Sequence, residues 1–468
     1  IYLMKAQSFI RRIAMAFSLF LFAAVAVAES SITFTTSRKV GEKLTLVIGA
    51  NGSVTFDGVK GKFSNYREVL FTIEKQTITI TGEIESFSCA GCEITALDVT
   101  KAPELTLLSC ENNEIQTLDL KENLLLRSLY CQTNKLSELN IAKQKDLGLL
   151  SCGENQLSAL DVSNNTGLME LYCYGNRLSE LKVDHLQDLR KLSCSDNQLT
   201  ALDVTKNADL RSLFCFGNRL IALNVSNNTA LYQLSFSNNQ ITAIDLSKNK
   251  DLEILFAEKN PLAQSLDVSH LTNLEQLYVS HTHCKSLDLR NNAKLTELSC
   301  SHNQLRGLDL SGKSQLRQVW IQDNLMNTDS MHVLIERLPT RIPAMYGRLV
   351  MKDAEVADSN VCFREDVERA SKKYWTLLEI HKNYTSTYEG VVDGLNQAFA
   401  QKLICRYENG LLTLQDAKPN VAYTVYDLRG RILAQGKTDA RGRVSRMLAA
   451  STHQRLIIKV AQCGTLKI

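Results

Sequence analysis

The stretch "SLFCFGNRLIAL" (212–223) sets one cysteine between two phenylalanines, and 42 residues earlier "ELYCYGNRLSEL" (170–181) sets one between two tyrosines. Worked outward, the cysteine recurs twice as often as the aromatics. Cys89, Cys110, Cys131, Cys152, Cys173, Cys194 and Cys215 stand 21 residues apart. The register continues through Phe236, Ala257, Val279 (after one inserted residue near Gln264), Cys300 and Ile321. The substitutes define the position as apolar and inward. Three residues further on stand Asn113, Asn134, Asn155, Asn176, Asn197, Asn218, Asn239, Asn260, Asn303 and Asn324. Leucines such as Leu105, Leu126, Leu147, Leu168, Leu189 and Leu210 keep the same period.

The unit reads L-x-x-L-x-C-x-x-N-x-L-x-x-L-x-V and repeats about twelve times between residues 86 and 326. One such coil cannot bury its own apolar face, so the coils must stack. Alternation along L-x-C predicts a short strand, with Leu and Cys inward and the residues flanking Cys outward. The Asn turns inward where the strand ends, and its amide serves backbone groups that the turn leaves unpaired. The pattern resembles the leucine-rich repeat. That resemblance implies a β-rich solenoid with a parallel inner sheet.

Thirteen cysteines in an exported chain would ordinarily suggest disulfides. The ladder argues for free thiols. Parallel strands lie about 4.8 Å apart, whereas a disulfide needs Cβ atoms about 3.8 Å apart. The spacing decides least for Cys89 and Cys92, the latter at the Asn position of the first coil.

The ends have another character. Lys5, Arg11 and Arg12 precede the apolar run "IAMAFSLFLFAAVAVA" (13–28), the layout of a secretory signal peptide over 1–28. Stacked coils need caps. Strand-like runs such as "SITFTT" and "KLTLVIGA" predict an N-terminal β cap over 29–85. In 327–394, "DSMHVLIERLP" is helix-like, "GRLVMKD" strand-like and "REDVERASKKYWTLLEIH" a helix running into a strand, which predicts an α/β C-terminal cap. Short alternating runs over 395–468 predict a small β-sandwich. That tail carries twelve Lys/Arg against four acidic residues, while the chain's net charge is only +3. Its arginines fall on strands and turns, so no nucleic-acid partner is expected.

The cysteine-bearing 21-residue unit looks like the cysteine-ladder repeats of internalin J, within the internalin-type leucine-rich-repeat family. The tail, with "VAYTVYDLRGRIL" and "RLIIKV", is similar to the C-terminal sorting domain used for type IX secretion, although Gln454-Arg455 stands where that family has Gly-x-Tyr. Together these features resemble internalin-related surface proteins of Porphyromonas-type Bacteroidota. The resemblance implies export to the outer-membrane surface or beyond, engagement of the type IX machinery through the tail, and a role in attachment and biofilm formation.

Nothing points to catalysis: H-E-x-x-H, G-x-S-x-G and phosphate-cradling Gly-rich loops are missing from the sequence. No cofactor is expected. His281 and His302, one coil apart, read as polar edge residues rather than metal ligands. The outward position before Cys alternates small and aromatic: Ser109, Tyr130, Ser151, Tyr172, Ser193, Phe214, Ser235, Phe256, then Tyr278, Ser299 and Trp320. Tyr174 and Phe216 follow the Cys. Lateral packing of large against small rows would explain the alternation. Solvent-facing phenylalanine costs solubility, however, and contiguous apolar surface marks contact surfaces. Tyr130, Tyr172, Tyr174, Phe214, Phe216, Phe256, Tyr278 and Trp320 are therefore the expected ligand-binding residues. The partner expected is a protein or glycan on host or neighbouring bacterial cells. The rival expectation is a self-associating structural protein of the cell surface.

Overall fold

A computed structural model describes residues 30–262, 266–356, 358, 360–382 and 384–391, and beyond these strands and turns between 404 and 467. The segment read as a signal peptide lies outside the described residues. The chain divides into two compact units, Ile1–Leu262 and Ala263–Ile468.

In the first unit the alternating N-terminal runs form two antiparallel sheets. Ser31–Thr36 buries Ile32 and Phe34 and lies between Thr77–Thr81 and Ile94–Lys101. Lys43–Ala50 lies between Glu68–Ile73 and Ile84–Ser88. The last of these strands also pairs in parallel with Leu107–Ser109, so it joins the antiparallel cap to the repeats. From there eight three-residue strands, ending at Ile254–Phe256, pair in parallel, each with the strand one coil on. The inward cysteines from Cys89 to Cys215 are 0% exposed. All eleven cysteines from Cys89 to Cys362 are unpaired.

A three-residue strand cannot hold a coil by its ladder bonds alone. The asparagine at its end supplies the rest. Asn155 Nδ2 donates to Cys131 O of the preceding coil (3.0 Å) and to Cys152 O of its own (3.1 Å), while its Oδ1 accepts from Leu136 N–H (2.9 Å). Asn113, Asn134, Asn176, Asn197, Asn218 and Asn239 repeat this arrangement. At about 1 kcal/mol net per bond, and more for a buried group left unpaired, each residue is worth several ordinary contacts. The residue before each Asn carries positive φ, from Asn112 (φ 56) through Glu154 (φ 51), Gly175 (φ 63) and Asp196 (φ 50) to Lys259 (φ 52). Gly, Asn and Asp are favoured there because a side chain crowds the left-handed backbone.

A second polar ladder lies on the return segment of the coil, at Asn123, Gln144, Asn165, Asn207, Asn228 and Asn249. Five of these six residues are 0% exposed and Gln144 is 1%. Each side-chain amide donates to two carbonyls of the preceding coil, as Asn207 does to Val183 O (2.8 Å) and Leu186 O (2.7 Å). Unlike the first ladder, the asparagine Oδ1 atoms here accept no hydrogen bond.

The second unit contains parallel strands Gln276–Tyr278, Glu297–Ser299 and Gln318–Trp320, followed in the same order by Gly347–Asp353 and Trp375–Ile380. Helix α1 (Thr328–Arg337) starts at Asn327, whose side chain accepts from Ser330 N–H, as an N-cap residue should. Helix α2 is Arg364–Lys372. His332 Nδ1 lies 2.6 Å from the buried Asp366 and ties the helices together. Beyond 404 the strands form antiparallel sheets of three and four. Among the described residues no helix is long and apolar enough to cross a membrane.

Candidate functional site

Strand pairing fixes the outward rows of the first unit. Tyr130 sits between Ser109 and Ser151, Tyr172 between Ser151 and Ser193, and Phe214 between Ser193 and Ser235. Phe256 sits beside Ser235. Most of the small residues are covered: Ser109, Ser151 and Ser235 are buried while Ser193 is half-buried, and Ser195, preceding Phe216 by one coil, is 0% exposed. The glycine at 153 shows why. A Cβ there would meet the Tyr174 ring at 2.7 Å, so the ring lies over the backbone of the preceding coil. Tyr174 therefore needs a glycine beside it, and the buried serines flanking Tyr130, Tyr172 and Phe214 are in keeping with the same packing of large against small.

Packing does not hide the rings completely. Tyr130, Tyr172, Tyr174, Phe214 and Phe256 remain half-buried, and Phe216 is 37% exposed. Tyr172 Oη donates to Glu170 Oε2 at 2.6 Å, and Glu170 Oε1 pairs with Lys191 at 3.1 Å. Burial, and then the Glu170 carboxylate, push the Tyr172 hydroxyl well above its ordinary pKa, so it stays a donor. In the second unit Tyr278 and Trp320 are half-buried, with ring centroids 6.5 Å apart. Tyr278 Oη donates to Glu297 Oε2 at 2.5 Å.

Sequence reasoning missed the charged edges of the first unit's face. Arg127, Arg190 and Arg211 occupy the position four residues before the inward Cys and are exposed. Glu154 and Asp196 occupy the positive-φ position two residues after it and are also exposed. Partial burial raises the Asp196 carboxyl above its ordinary pKa. The signal was present in the 21-residue register but did not stand out, because these columns vary from coil to coil.

The His281 and His302 rings stack at 4.1 Å with 9° between planes, and His302 Nδ1 lies 2.9 Å from Asp323 Oδ2. Among the described residues no group of three or more His, Cys, Asp or Glu side chains is placed to hold a metal ion. A groove on the return segments is lined by Asp98, Asp119, Asn140 and Asp161, among others. Each of these four accepts from the backbone N–H two residues on, which makes the column a set of turn-forming residues.

Parallel three-residue strands at a 21-residue spacing, closed by asparagine staples, define a β-rich leucine-rich-repeat solenoid. Solved structures agree. The chain is similar to the functional domain of InlJ from Listeria monocytogenes, which includes a cysteine ladder, at 22% identity over 85% of this chain and 92% of that one, with a TM-score of 0.51. It is also similar to an internalin, InlF, from Listeria monocytogenes, at 20% identity over 64% of this chain and 87% of that one, with a TM-score of 0.55. At these identities the likeness establishes the fold. No protein-family model and no curated protein sequence matches the chain.

Proposed function

We propose that the chain is an exported cell-surface repeat protein that binds a protein or glycan through its aromatic strand face and mediates adhesion and biofilm formation. The observation that carries this reading is the cluster Tyr172, Tyr174, Phe214 and Phe216, whose rings keep solvent exposure after all the lateral packing available to them. Rings held by their neighbours offer large rigid contact area at little further entropy cost. The basic, strand-rich tail and the apolar N-terminal run support export to the surface through type IX secretion.

Replacing Tyr172, Tyr174, Phe214 and Phe216 together by Ser or Thr tests the reading. Circular dichroism should show an unchanged fold, while surface attachment and biofilm mass fall to the level of a deletion strain. Wild-type adhesion by the folded variant would overturn it. Export has its own check: cells expressing a chain without 396–468 should retain it in the periplasm, and normal surface display would refute the sorting role.

A further inference from the structure

In the coil of Cys194 the exposed face changes sign from Arg190 to Asp196, and in the coil of Ala257 it changes in the opposite sense, from Glu253 to Lys259, so in both coils the two edges carry opposite charges. Arg127, Arg190 and Arg211 line the edge where the strands begin, Glu154 and Asp196 the edge where they end, and the aromatic rings lie between. None of these five side chains makes an ion pair or a side-chain hydrogen bond. Arg190 and Asp196 belong to the same coil, six residues apart, which places them at most about 20 Å from each other. They form no ion pair with each other.

A second copy can satisfy both. Of the two ways to lay such a face on itself by a two-fold rotation, an axis along the strands would set arginine over arginine. An axis along the direction in which the strands stack sets the basic edge of one copy over the acidic edge of the other. Arg190 then lies over the partner copy's acidic edge at Asp196, and Arg211 is one strand spacing away. The aromatic middle of one face covers that of the other. We propose that this face pairs with the same face of a second copy about that axis, making the adhesion homophilic. The proposal rests on the reading of the aromatic face as a binding surface and names its partner.

Size decides how strong the pairing can be. Eight strands about 4.8 Å apart, with at most about 20 Å from basic to acidic edge, give a projected face of at most roughly 700 Å², short of the ~800 Å² per partner of stable complexes. A soluble pair is then weak. Copies arrayed on a surface hold by avidity.

The experiment uses full-length protein on beads, with Arg190→Glu and Asp196→Lys as separate variants. Both replacements occur naturally in the repeat: Glu253 holds the position equivalent to Arg190, and Lys259 (φ 52) that of Asp196. Wild-type beads should aggregate. Beads carrying either variant alone should aggregate about tenfold less, because like charges then face each other, and mixing the two populations should restore aggregation. Dispersed wild-type beads, variants that aggregate like wild type, or a mixture no better than its components would each overturn the pairing. If wild-type beads stay dispersed but still capture a glycan or another protein in a way lost with the four aromatics, homophily fails and the binding face stands.

Discussion

The two polar ladders do the same job with different completeness. In the first, Asn197 donates to Cys173 O and Cys194 O, and its Oδ1 accepts from Leu178 N–H. In the second, Asn207 donates to Val183 O and Leu186 O, and its Oδ1 accepts nothing. The sequence follows that difference. Only Cys92 and Thr282 interrupt the first ladder, whereas the second admits Ala102, Gln144, Leu186, Leu271 and Lys313. A staple that uses both ends of its amide fixes a donor and an acceptor at once, and no other side chain of that length does both. A staple that uses only Nδ2 buries an idle oxygen, which removes part of its advantage over leucine.

The largest predicted effect breaks the first ladder. Asn197→Ala strands two carbonyls and one N–H in the core and should cost about 3 kcal/mol, read as a lower urea midpoint. The second prediction sharpens the comparison through the thiols that the first ladder seals in. Burial raises the Cys173 and Cys215 thiols from the ordinary 9.0 to about 12. Alkylation of the folded protein at pH 8.5 should therefore be slow, and in Asn197→Ala, Cys173 and Cys194 should be modified first. The same shift sets a pH dependence. With folded values above the unfolded one, stability is fully present below pH 9 and falls between pH 9 and 12, by up to about 1.4 kcal/mol per pH unit for each such thiol. A flat stability profile across that window would contradict sealed thiols.

Smaller effects belong to the second ladder. Asn207→Leu, the residue that position already holds at Leu186, should cost about 1 kcal/mol or less, with no change in the alkylation order. A loss as large as that of Asn197→Ala would erase the distinction between the ladders.

How much of this was legible follows from the same physics. The first ladder, the inward thiols and the strand direction could be read because each position admits few residue types and recurs every 21 residues. The second ladder keeps the 21-residue period but admits more residue types, and in "NNT" (164–166 and 227–229) its buried Asn165 and Asn228 stand beside a surface Asn and look like ordinary turn residues. The aromatic alternation was legible as a pattern and not as a cause. Only the ring of Tyr174 lying over the glycine at 153 shows packing requiring a small residue beside an aromatic. The charged edges were least legible, since what matters about Arg190 and Asp196 is that neither has a partner, and no spacing reports that.

The finest test of the comparison lies in the second unit, where Lys313 takes the place that Asn292 holds one coil earlier. Lys313 is 1% exposed, and its ammonium reaches one acceptor, Ser311 O at 3.1 Å. Asn292 satisfies Val268 O and Leu271 O. Desolvation lowers the Lys313 pKa from its ordinary 10.5, so burying the ammonium costs stability wherever the unfolded chain carries that charge. Lys313→Asn removes the cost and restores a donor to the two carbonyls of the preceding coil, and should raise stability by about 1 kcal/mol near neutral pH. The advantage should shrink as pH rises towards 10.5, because the unfolded lysine then loses the proton that the folded one already resists holding. A variant that is less stable than wild type, or whose advantage is the same at pH 7 and pH 10, would mean that the lysine is not a misfit in the ladder.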